Sequence, residues 1–520
     1  MNVLLDAVVR AGLGEAECRL TLPGVFAALM ADRISAFPAL RAHQRHAWHA
    51  FLSQLGAIAL HAAGVADPPT DETAWRDLLR GLTPDDPNDD AWSLVTPFDR
   101  PALLQPPIPD GLAALKKQIA TPDGLDMLVT AKNHDLKQAI MVEAAPEDWL
   151  FALLTLQTME GFLGAGNYGI SRMNGGFANR AALGISPPGG PGVHVRRDML
   201  RLHAERQKIA EQYGYAVDRG TALVWLLPWD GTTSLQVTTL DPLYIEICRR
   251  VRLVRTDGVI GARAGASKVP RIVFTKGGLT GDPWAPSRTE KDGTAKVLTV
   301  DAGGFGYRRM VELIFPENGR PSLLQETADS DAPEGLSLVA RALVRGQGKT
   351  EGYHERCVPL SRRVRQMLSG SRVTDPAAEA ARRRVELAGE VQYRVLRPAL
   401  LALFQNGPER IDLRHDASAR KADPFLATFD HAIDRDFFPR LWEELEADDP
   451  DTAGARRAAW VRDLLGQALA IVNEADHTAP KSAHRRYRAR VRALQELALA
   501  PWRSTLLADY IVEKPHDGPT

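Results

Sequence analysis

Glycines form the densest chemical pattern in the chain. Residues 161–180 read GFLGAGNYGISRMNGGFANR, and Gly164, Gly166 and Gly169 have the GxGxxG spacing of a dinucleotide-binding turn. That turn needs a strand before it and an acidic residue about twenty positions later to hold the ribose. Here a helical pattern precedes the glycines, and glycine and proline surround position 189. We therefore favour a loop whose backbone lies against a narrow surface such as a nucleic-acid groove, with a loop packed on its own domain as the alternative.

A second glycine-flanked stretch, RGQGKTEGYHER at 345–356, contains the Gly348-Lys349-Thr350 end of a phosphate-binding loop. That loop also requires glycine five positions before Gly348, where this chain has Leu343. We therefore predict an exposed tip that presents two polar side chains, which suits either insertion into nucleic acid or an ordinary solvated loop. These residues are called the wedge pair: Gln347 and Lys349.

Basic residues are concentrated locally although the formal net charge is only −1. Residues 249–276 contain eight Lys or Arg residues against one acid, Asp257, and the run KSAHRRYRARVR occupies 481–492. Both segments are typical of a surface that follows nucleic-acid phosphates, and equally of a solvated face. In the second run we single out three residues as the basic triplet: Arg485, Arg486 and Arg488.

The sequence contains no catalytic signature of the HExxH or GxSxG kind. His43, His46 and His49 are spaced i, i+3, i+6, so on a helix they point in directions too different to share one metal ion. We predict that they are solvated or capping residues. The three cysteines lie far apart and form no CxxC pair. We therefore expect no catalytic residue, no metal site and no cofactor, and predict that the chain is not an enzyme.

The composition is that of a folded globular protein. The 520 residues are 44% hydrophobic and 25% charged, and this length favours two or three domains. The N-terminus lacks the pattern of a signal peptide, and no apolar run is long enough to cross a membrane. We expect a soluble, cytoplasmic protein with no membrane partner.

Periodicity predicts an α+β fold. A helix is expected within 36–63, another begins at Pro146 and runs into Gly161, and short β-branched runs predict a mostly β region from about 220 to 320. Four long helical patterns follow, at roughly 376–404, 424–446, 452–475 and 480–499, the second with a start at Asp423-Pro424. We predict a mixed α/β N-terminal domain at 1–368 and a C-terminal four-helix bundle at 369–520.

Three segments in this order, LVTAKNHDLKQ, the glycine segment and RGQGKTEGYHER, resemble the CasA (Cse) large-subunit family of the type I-E CRISPR Cascade complex. The opening MNVLLDAVVR and the domain order agree with that family over nearly the whole chain. The resemblance implies a glycine loop and a lysine that approach the short protospacer-adjacent motif (PAM) of duplex DNA from the minor groove. It further implies a glutamine wedge that parts the strands, and a loop that anchors the subunit at the 5′ handle of the guide RNA.

Carried onto this sequence, the glycine loop comprises Gly164, Ala165, Gly166 and Asn167. The lysine is Lys268, although Arg271 and Lys276 lie in the same segment and stay open as alternatives. The wedge pair occupies the strand-separating position. The guide anchor is a set that we call the handle triplet: Lys132, Asn133 and Lys137.

The implied function is that of a non-catalytic, RNA- and DNA-binding subunit in antiviral defence. Its expected partners are guide RNA, other Cascade subunits, double-stranded target DNA and a helicase-nuclease recruited after R-loop formation. Some members carry clustered cysteines in the β region, where this chain has only Cys248, so structural zinc is not expected. Two other functions stay open: a nucleotide-dependent nucleic-acid-modifying enzyme, and a structural RNA-binding scaffold.

Overall fold

The computed structural model describes residues 1–127, 141, 143–161, 164–169, 180–273, 279–317, 319–346, 349–367, 375–478 and 482–511. The chain forms two compact units. The first comprises Met1–Phe305 with Pro316–Pro359, and the second comprises Gly306–Phe315 with Leu360–Thr520. The predicted domain boundary between residues 368 and 369 lies outside the described residues.

The first unit begins with an antiparallel sheet in the order β2-β1-β3, formed by β1 (Val9–Leu13), β2 (Ala16–Leu20) and β3 (Ile34–Ala36). The helices of its core are α1 (Leu22–Met30), α2 (Arg45–Ala63), α3 (Glu72–Arg80), α4 (Pro146–Met159) and α5 (Pro191–Tyr213). Helix α2 is buried along most of its length because α5, α4 and β7 (Leu240–Ile245) all pack on it. It forms the centre of the apolar core.

Two three-stranded antiparallel sheets of this unit position the candidate site. One has the order β4-β9-β8, from β4 (Lys117–Ile119), β8 (Arg250–Thr256) and β9 (Val259–Gly265). The other has the order β14-β13-β5, from β5 (Ala182–Ser186), β13 (Ser337–Gly346) and β14 (Lys349–Pro359). The remaining strands are β6 (Thr221–Leu223), which pairs in parallel with β7, and β10 (Ser287–Thr289), β11 (Ala295–Val297) and β12 (Gly319–Arg320).

Helix α4 leads directly to the glycine segment. Pro146 starts it, since a first-turn proline lacks only an N–H that would have no helical partner, and the Asp148 carboxylate accepts a hydrogen bond from the main-chain N–H of Ala145 at 2.8 Å. The helix ends when Glu160 adopts extended backbone angles. A helix therefore precedes the glycines, as the sequence predicts.

The second unit is helical. Its short helices are α6 (Tyr307–Ile314) and α7 (Arg362–Met367). Helix α8 (Asp375–Glu390) continues through a π-helical turn (Val391–Leu396) into α9 (Arg397–Phe404), and α10 (Asp416–Leu445), α11 (Pro450–Ala475) and α12 (Ala483–Leu499) follow. Helix α9 packs against α10 and α12, and α10 against α11. The predicted α+β class with a helical bundle at the C-terminal end is confirmed.

The predicted start of the second bundle helix at Asp423-Pro424 is wrong. Helix α10 begins at Asp416, where the His415 imidazole accepts a hydrogen bond from the main-chain N–H of Ser418 at 3.2 Å. Pro424 lies inside the helix. A proline signals a helix start only when nothing upstream caps an earlier turn, and here the His415 cap outweighs the missing N–H.

The prediction that His43, His46 and His49 are solvated or capping is also wrong, because all three are buried. The His43 Nε2 atom lies 2.8 Å from both carboxylate oxygens of Asp126. Burial, reinforced by the charge of Arg341, lowers the pKa of His46 well below its usual value.

Among the described residues, none of the helices combines the length and apolar character that a membrane crossing requires.

Candidate nucleic-acid interface

Gly164 to Asn167 form a tight turn after α4. The main-chain N–H of Asn167 donates to the Gly164 carbonyl at 3.0 Å, and Gly166 has a φ of 84°, as the third position of a type II turn requires. Gly164 has a φ of 96°, and a β-carbon built there would meet no described atom within 4 Å. The backbone at Gly164 is therefore open to close approach.

The third glycine of the pattern has a different role. A β-carbon at Gly169 would lie 2.0 Å from the main-chain oxygen of Cys248 and 2.8 Å from the Arg249 guanidinium. Glycine at this position allows the chain to lie directly on the residues that precede β8. The glycine pattern thus lets the chain at Gly169 lie against the protein and leaves the backbone at Gly164 open.

The turn is hydrogen-bonded to the segment that carries Lys268. The main-chain N–H of Ser267 donates to the Gly166 carbonyl at 2.9 Å, and that of Lys268 donates to the Gly231 carbonyl at 2.7 Å. The Lys268 side chain is exposed. Main-chain bonds therefore fix this lysine beside the glycine turn without using its ammonium group.

The other two candidate cations differ from Lys268. Arg271 is 3% exposed, donates to the Leu227 carbonyl at 3.0 Å and stacks over the Trp229 ring. Burial lowers the pKa of Arg271 to about 10, so it stays charged at neutral pH but faces the interior. Lys276 lies outside the described residues. Among the three, the structure places Lys268 at the surface beside the turn.

Buried charges connect the glycine segment to β13. Arg345 pairs with Glu160 at 2.5 Å, and their side chains are only 1% and 4% exposed. The Glu160 carboxylate also accepts the main-chain N–H of Gly161 at 3.0 Å. The Arg249 guanidinium donates to the carbonyls of Gly161 and Gly169, the latter at 2.8 Å. One guanidinium thus holds both Gly161 and Gly169, and an ion pair joins Glu160, just before the segment, to β13.

The sheet that contains β13 and β14 also leads to the other two predicted sites, the wedge pair and the handle triplet. Strands β13 and β14 pair up to Gly346 and Lys349, and residues 347–348 between them, including Gln347 of the wedge pair, lie outside the described residues. The Thr350 hydroxyl donates to the Met127 carbonyl at 2.8 Å. Met127 immediately precedes residues 128–140, which include the handle triplet and also lie outside the described residues. The structure therefore brings together the start of β14 and the chain leading to the predicted guide anchor.

Much of the basic segment 249–276 does not form a phosphate-binding face, which corrects one interpretation of the sequence. Arg249, Arg250, Arg252 and Arg271 are buried. Arg252 donates to five main-chain carbonyls in the proline-rich stretch 96–106. Burial lowers the pKa of Arg252 to about 10. These arginines satisfy carbonyls that no sheet or helix uses, so they stabilise the fold.

A cleft of about 640 Å³ lies against the turn, and its lining includes Ala165, Gly166 and Asn167. Lys116 and Lys117 also line it and are exposed. The sequence analysis did not single out these two lysines. Their adjacency in an otherwise weakly charged stretch is the signal that could have indicated them, although only the pairing of β4 with β9 brings them near the turn.

All three members of the basic triplet are exposed on α12. Arg486 pairs with Asp476 at 3.1 Å, and the Arg488 Nε donates to the Gly407 carbonyl at 2.7 Å. These contacts orient two of the guanidiniums along the helix surface. The triplet lies in the second unit, whereas the glycine turn lies in the first.

Comparison with protein families matches residues 7–471 to the model of CRISPR-associated protein Cse1. Among solved structures, Thermus thermophilus CasA (Cse1) is 16% identical with a TM-score of 0.67, covering 98% of this chain and 99% of that one. Cse1 from Acidimicrobium ferrooxidans is 16% identical with a TM-score of 0.65, covering 98% of each chain.

A chain of a CRISPR RNA-guided surveillance complex is 15% identical with a TM-score of 0.60, covering 96% of this chain and 99% of that one. At these identities the structures establish a shared fold. A comparison with curated protein sequences gives no match. Because the family model covers most of the sequence and the fold agrees over nearly all of it, the chain belongs to the family of CRISPR-associated protein Cse1.

Proposed function

We propose that this chain is the non-catalytic large subunit of a type I-E CRISPR Cascade complex. In this role it recognises the PAM in duplex DNA, starts strand separation and docks the helicase-nuclease. One observation carries the proposal: the glycine turn, open at Gly164, is hydrogen-bonded to the segment that presents exposed Lys268. Membership of the Cse1 family supports the Cascade assignment, since a chain of similar fold belongs to an RNA-guided surveillance complex.

The chemistry of the turn suits the minor groove. That groove is about 6 Å wide and presents mainly the acceptors N3 of adenine and O2 of thymine. A glycine backbone is thin enough to enter it, and a main-chain N–H or a lysine ammonium can donate to those acceptors. Because both A·T orientations offer acceptors at similar positions, this subunit reads the PAM degenerately and accepts several related sequences.

Strand separation is assigned to the wedge pair at the end of the β13–β14 hairpin. Inserting a side chain between base steps costs a few kcal/mol of unstacking, which contacts with the displaced bases offset. The buried pair between Arg345 and Glu160 supports this assignment, because it joins the hairpin to the segment proposed to read the PAM.

Guide anchoring is assigned to the handle triplet. The hydrogen bond from Thr350 to Met127 and the buried contact between His43 and Asp126 hold the chain just before residues 128–140. Lysine and asparagine side chains suit an RNA handle, where phosphates and unstacked bases offer acceptors and donors. Holding the chain at Asp126 and Met127 limits the positions from which the triplet reaches its partner.

Substitution of Lys268 by alanine in the assembled complex, with its guide RNA and other subunits, tests the proposal. Within the described part of the chain, the hydrogen bond that ties Lys268 to the fold comes from its main-chain N–H, so the variant should fold and assemble normally. We expect about tenfold weaker binding to a PAM-containing duplex, corresponding to one charge-assisted hydrogen bond of about 1.5 kcal/mol. Binding to a duplex without a PAM should change far less. Both are measured by titration of labelled duplexes at one fixed salt concentration.

Lys291→Ala provides a matched control, because Lys291 is an exposed lysine of the same unit in the turn between β10 and β11. It should bind both duplexes as the wild type does. If Lys268→Ala and Lys291→Ala lower binding equally on both duplexes, Lys268 contributes only general charge and the PAM assignment is wrong.

A further inference from the structure

A cluster of three side chains, two of them buried and one partly buried, lies away from the glycine turn. His194 and Asp198 are one helical turn apart on α5, and His49 faces them from α2. The His49 Nε2 atom lies 2.8 Å from Asp198 Oδ2, and His194 Nε2 lies 3.5 Å from the same oxygen. All three candidate ligand atoms lie within 4.8 Å of one another. The centroids of the two imidazole rings are 4.1 Å apart. Both Nε2 nitrogens face the same carboxylate oxygen.

The His194 nitrogen is unsatisfied in this arrangement. Its Nε2 atom is buried and has no hydrogen-bond partner among the described residues. A buried polar atom without a partner is unfavourable, and native proteins usually supply a water or an ion at such a point. His194 Nε2 lies too far from Asp198 Oδ2 for a good hydrogen bond, so this contact does not satisfy the second imidazole.

We propose that His49, His194 and Asp198 form a binding site for a divalent transition-metal ion, with Zn²⁺ the best match to two imidazoles and one carboxylate. Zinc takes such ligands at about 2.0–2.2 Å in tetrahedral geometry, which places neighbouring donors about 3.4 Å apart. The pair at 3.5 Å already fits, and the pair at 2.8 Å fits after a shift of about half an ångström. The proton of the present His49–Asp198 hydrogen bond moves to His49 Nδ1, because a coordinating nitrogen carries none.

The surrounding charges tolerate a cation. Arg197 holds the other carboxylate oxygen of Asp198 at 3.0 Å, as an outer partner that orients a ligating carboxylate would. Arg197 is shared with Asp331 at 2.7 Å, so two carboxylates face one guanidinium. Arg341 of β13 is paired with Glu355 at 2.9 Å. The local charge before metal binding is therefore not positive.

Such an ion would join α2 to α5 at the centre of the first unit. The three protein ligands leave one coordination position for water, and ligands from two helices make the site a structural link between them. The position of the third ligand explains why sequence spacing did not indicate the site: His49 and Asp198 are 149 residues apart.

The test uses the full-length chain without an affinity tag, stripped with a chelating resin and then titrated with Zn²⁺. We expect one tightly held Zn²⁺ per chain by elemental analysis after dialysis, and a rise in the midpoint of thermal unfolding on loading. Co²⁺ loading should give the visible bands of a tetrahedral ion without a thiolate charge-transfer band, which distinguishes this site from cysteine binding. Anomalous diffraction at the zinc edge should place the ion beside Asp198.

His194→Phe removes the ligand nitrogen and keeps a ring of similar size. It loses no hydrogen bond of Nε2, so the metal-free variant should unfold at the wild-type temperature while the bound zinc and its thermal shift are lost. His203→Ala is the control, because His203 on α5 faces His61 on α2 as another imidazole pair, with ring centres 6.3 Å apart. Absence of tight zinc in the wild type, retention of zinc by His194→Phe, loss of zinc in His203→Ala, or an anomalous peak elsewhere would each overturn the proposal.

Discussion

An alanine at Gly164, compared with an alanine at a second glycine of positive φ, distinguishes a loss of close approach to DNA from an effect of backbone strain. Gly164 and Gly214 both have positive φ, 96° and 73°, and a β-carbon at either position meets no described atom within 4 Å. Gly214 ends α5 and is not part of the proposed interface. The two substitutions therefore impose the same kind of strain, about 1–2 kcal/mol for an alanine in the left-handed region, and differ only in what approaches the new methyl group.

The expected magnitudes follow from this comparison. Each variant should lower the free energy of unfolding by about 1–2 kcal/mol. Only Gly164→Ala should weaken binding to a PAM duplex, because its methyl group holds the backbone away from the groove floor. Loss of one or two main-chain hydrogen bonds of about 1 kcal/mol each, together with the strain of keeping the turn, predicts a 10- to 100-fold increase in the dissociation constant.

The assay compares assembled complexes carrying each variant on duplexes that differ only in the PAM, with thermal unfolding of the isolated chains measured in parallel. Equal destabilisation with a PAM-binding defect confined to Gly164→Ala supports the proposed interface. If both variants bind the PAM duplex as tightly as the wild type, or if both lose binding to the same extent, groove approach at Gly164 is the wrong explanation for the glycine.

Four further predictions concern the remaining elements. Alanine at the wedge pair should leave PAM binding nearly intact but slow R-loop formation on paired DNA, and a pre-opened bubble beside the PAM should restore the rate; equal rates on bubble and duplex would contradict the assignment. Alanine at the handle triplet should loosen the folded subunit from the complex in a pull-down, whereas nanomolar retention would place the anchor elsewhere. Neutralising the basic triplet should flatten the log–log salt slope of DNA binding by about two to three units at unchanged PAM preference, and an unchanged slope would mean a solvated face. Glu160→Gln should lower the free energy of unfolding by about 3–5 kcal/mol and slow opening, whereas Asp241→Asn, which breaks the buried pair with Arg206, should lower only stability.

Helices with strong local signals could be predicted from the sequence, and those whose ends depend on a distant or unusual cap could not. The proline start of α4 and the apolar stripe of α11 are local, and both helices were expected where they occur. The start of α10 was missed because an imidazole, an uncommon capping group, closes the first turn ahead of Pro424. Local propensity carries no information about such a contact.

The burial of charged and polar residues was predicted less well than the helices were, and the reason is physical. The basic segment 249–276 was interpreted as a phosphate-following or a solvated face, yet Arg252 donates to carbonyls about 150 residues earlier in the chain. The prolines in 96–107 leave carbonyls without hydrogen-bond partners from a neighbouring strand. This proline-rich stretch was the feature of the sequence that could have indicated buried side-chain donors. The candidate site shows the same division: the glycine turn could be predicted, but the position of Lys116 and Lys117 near it could not, because it depends on a sheet pairing.

The hydrogen bonds that hold the glycine turn suggest how, on the proposed function, a subunit that accepts several PAM sequences could still bind DNA tightly. Arg249 fixes the carbonyls of both Gly161 and Gly169, and Ser267 fixes that of Gly166, so the turn is ordered before any DNA arrives. Ordering a loop on binding would consume part of the interaction energy, and a preformed loop avoids that loss. On the proposed function, the few donors available in a minor groove then suffice for a usable affinity, and the selectivity that the groove cannot supply is left to base pairing with the guide. Variants that loosen the buried anchors should therefore weaken binding to all accepted PAMs alike, whereas changes at Lys268 or Gly164 alter the preference among them.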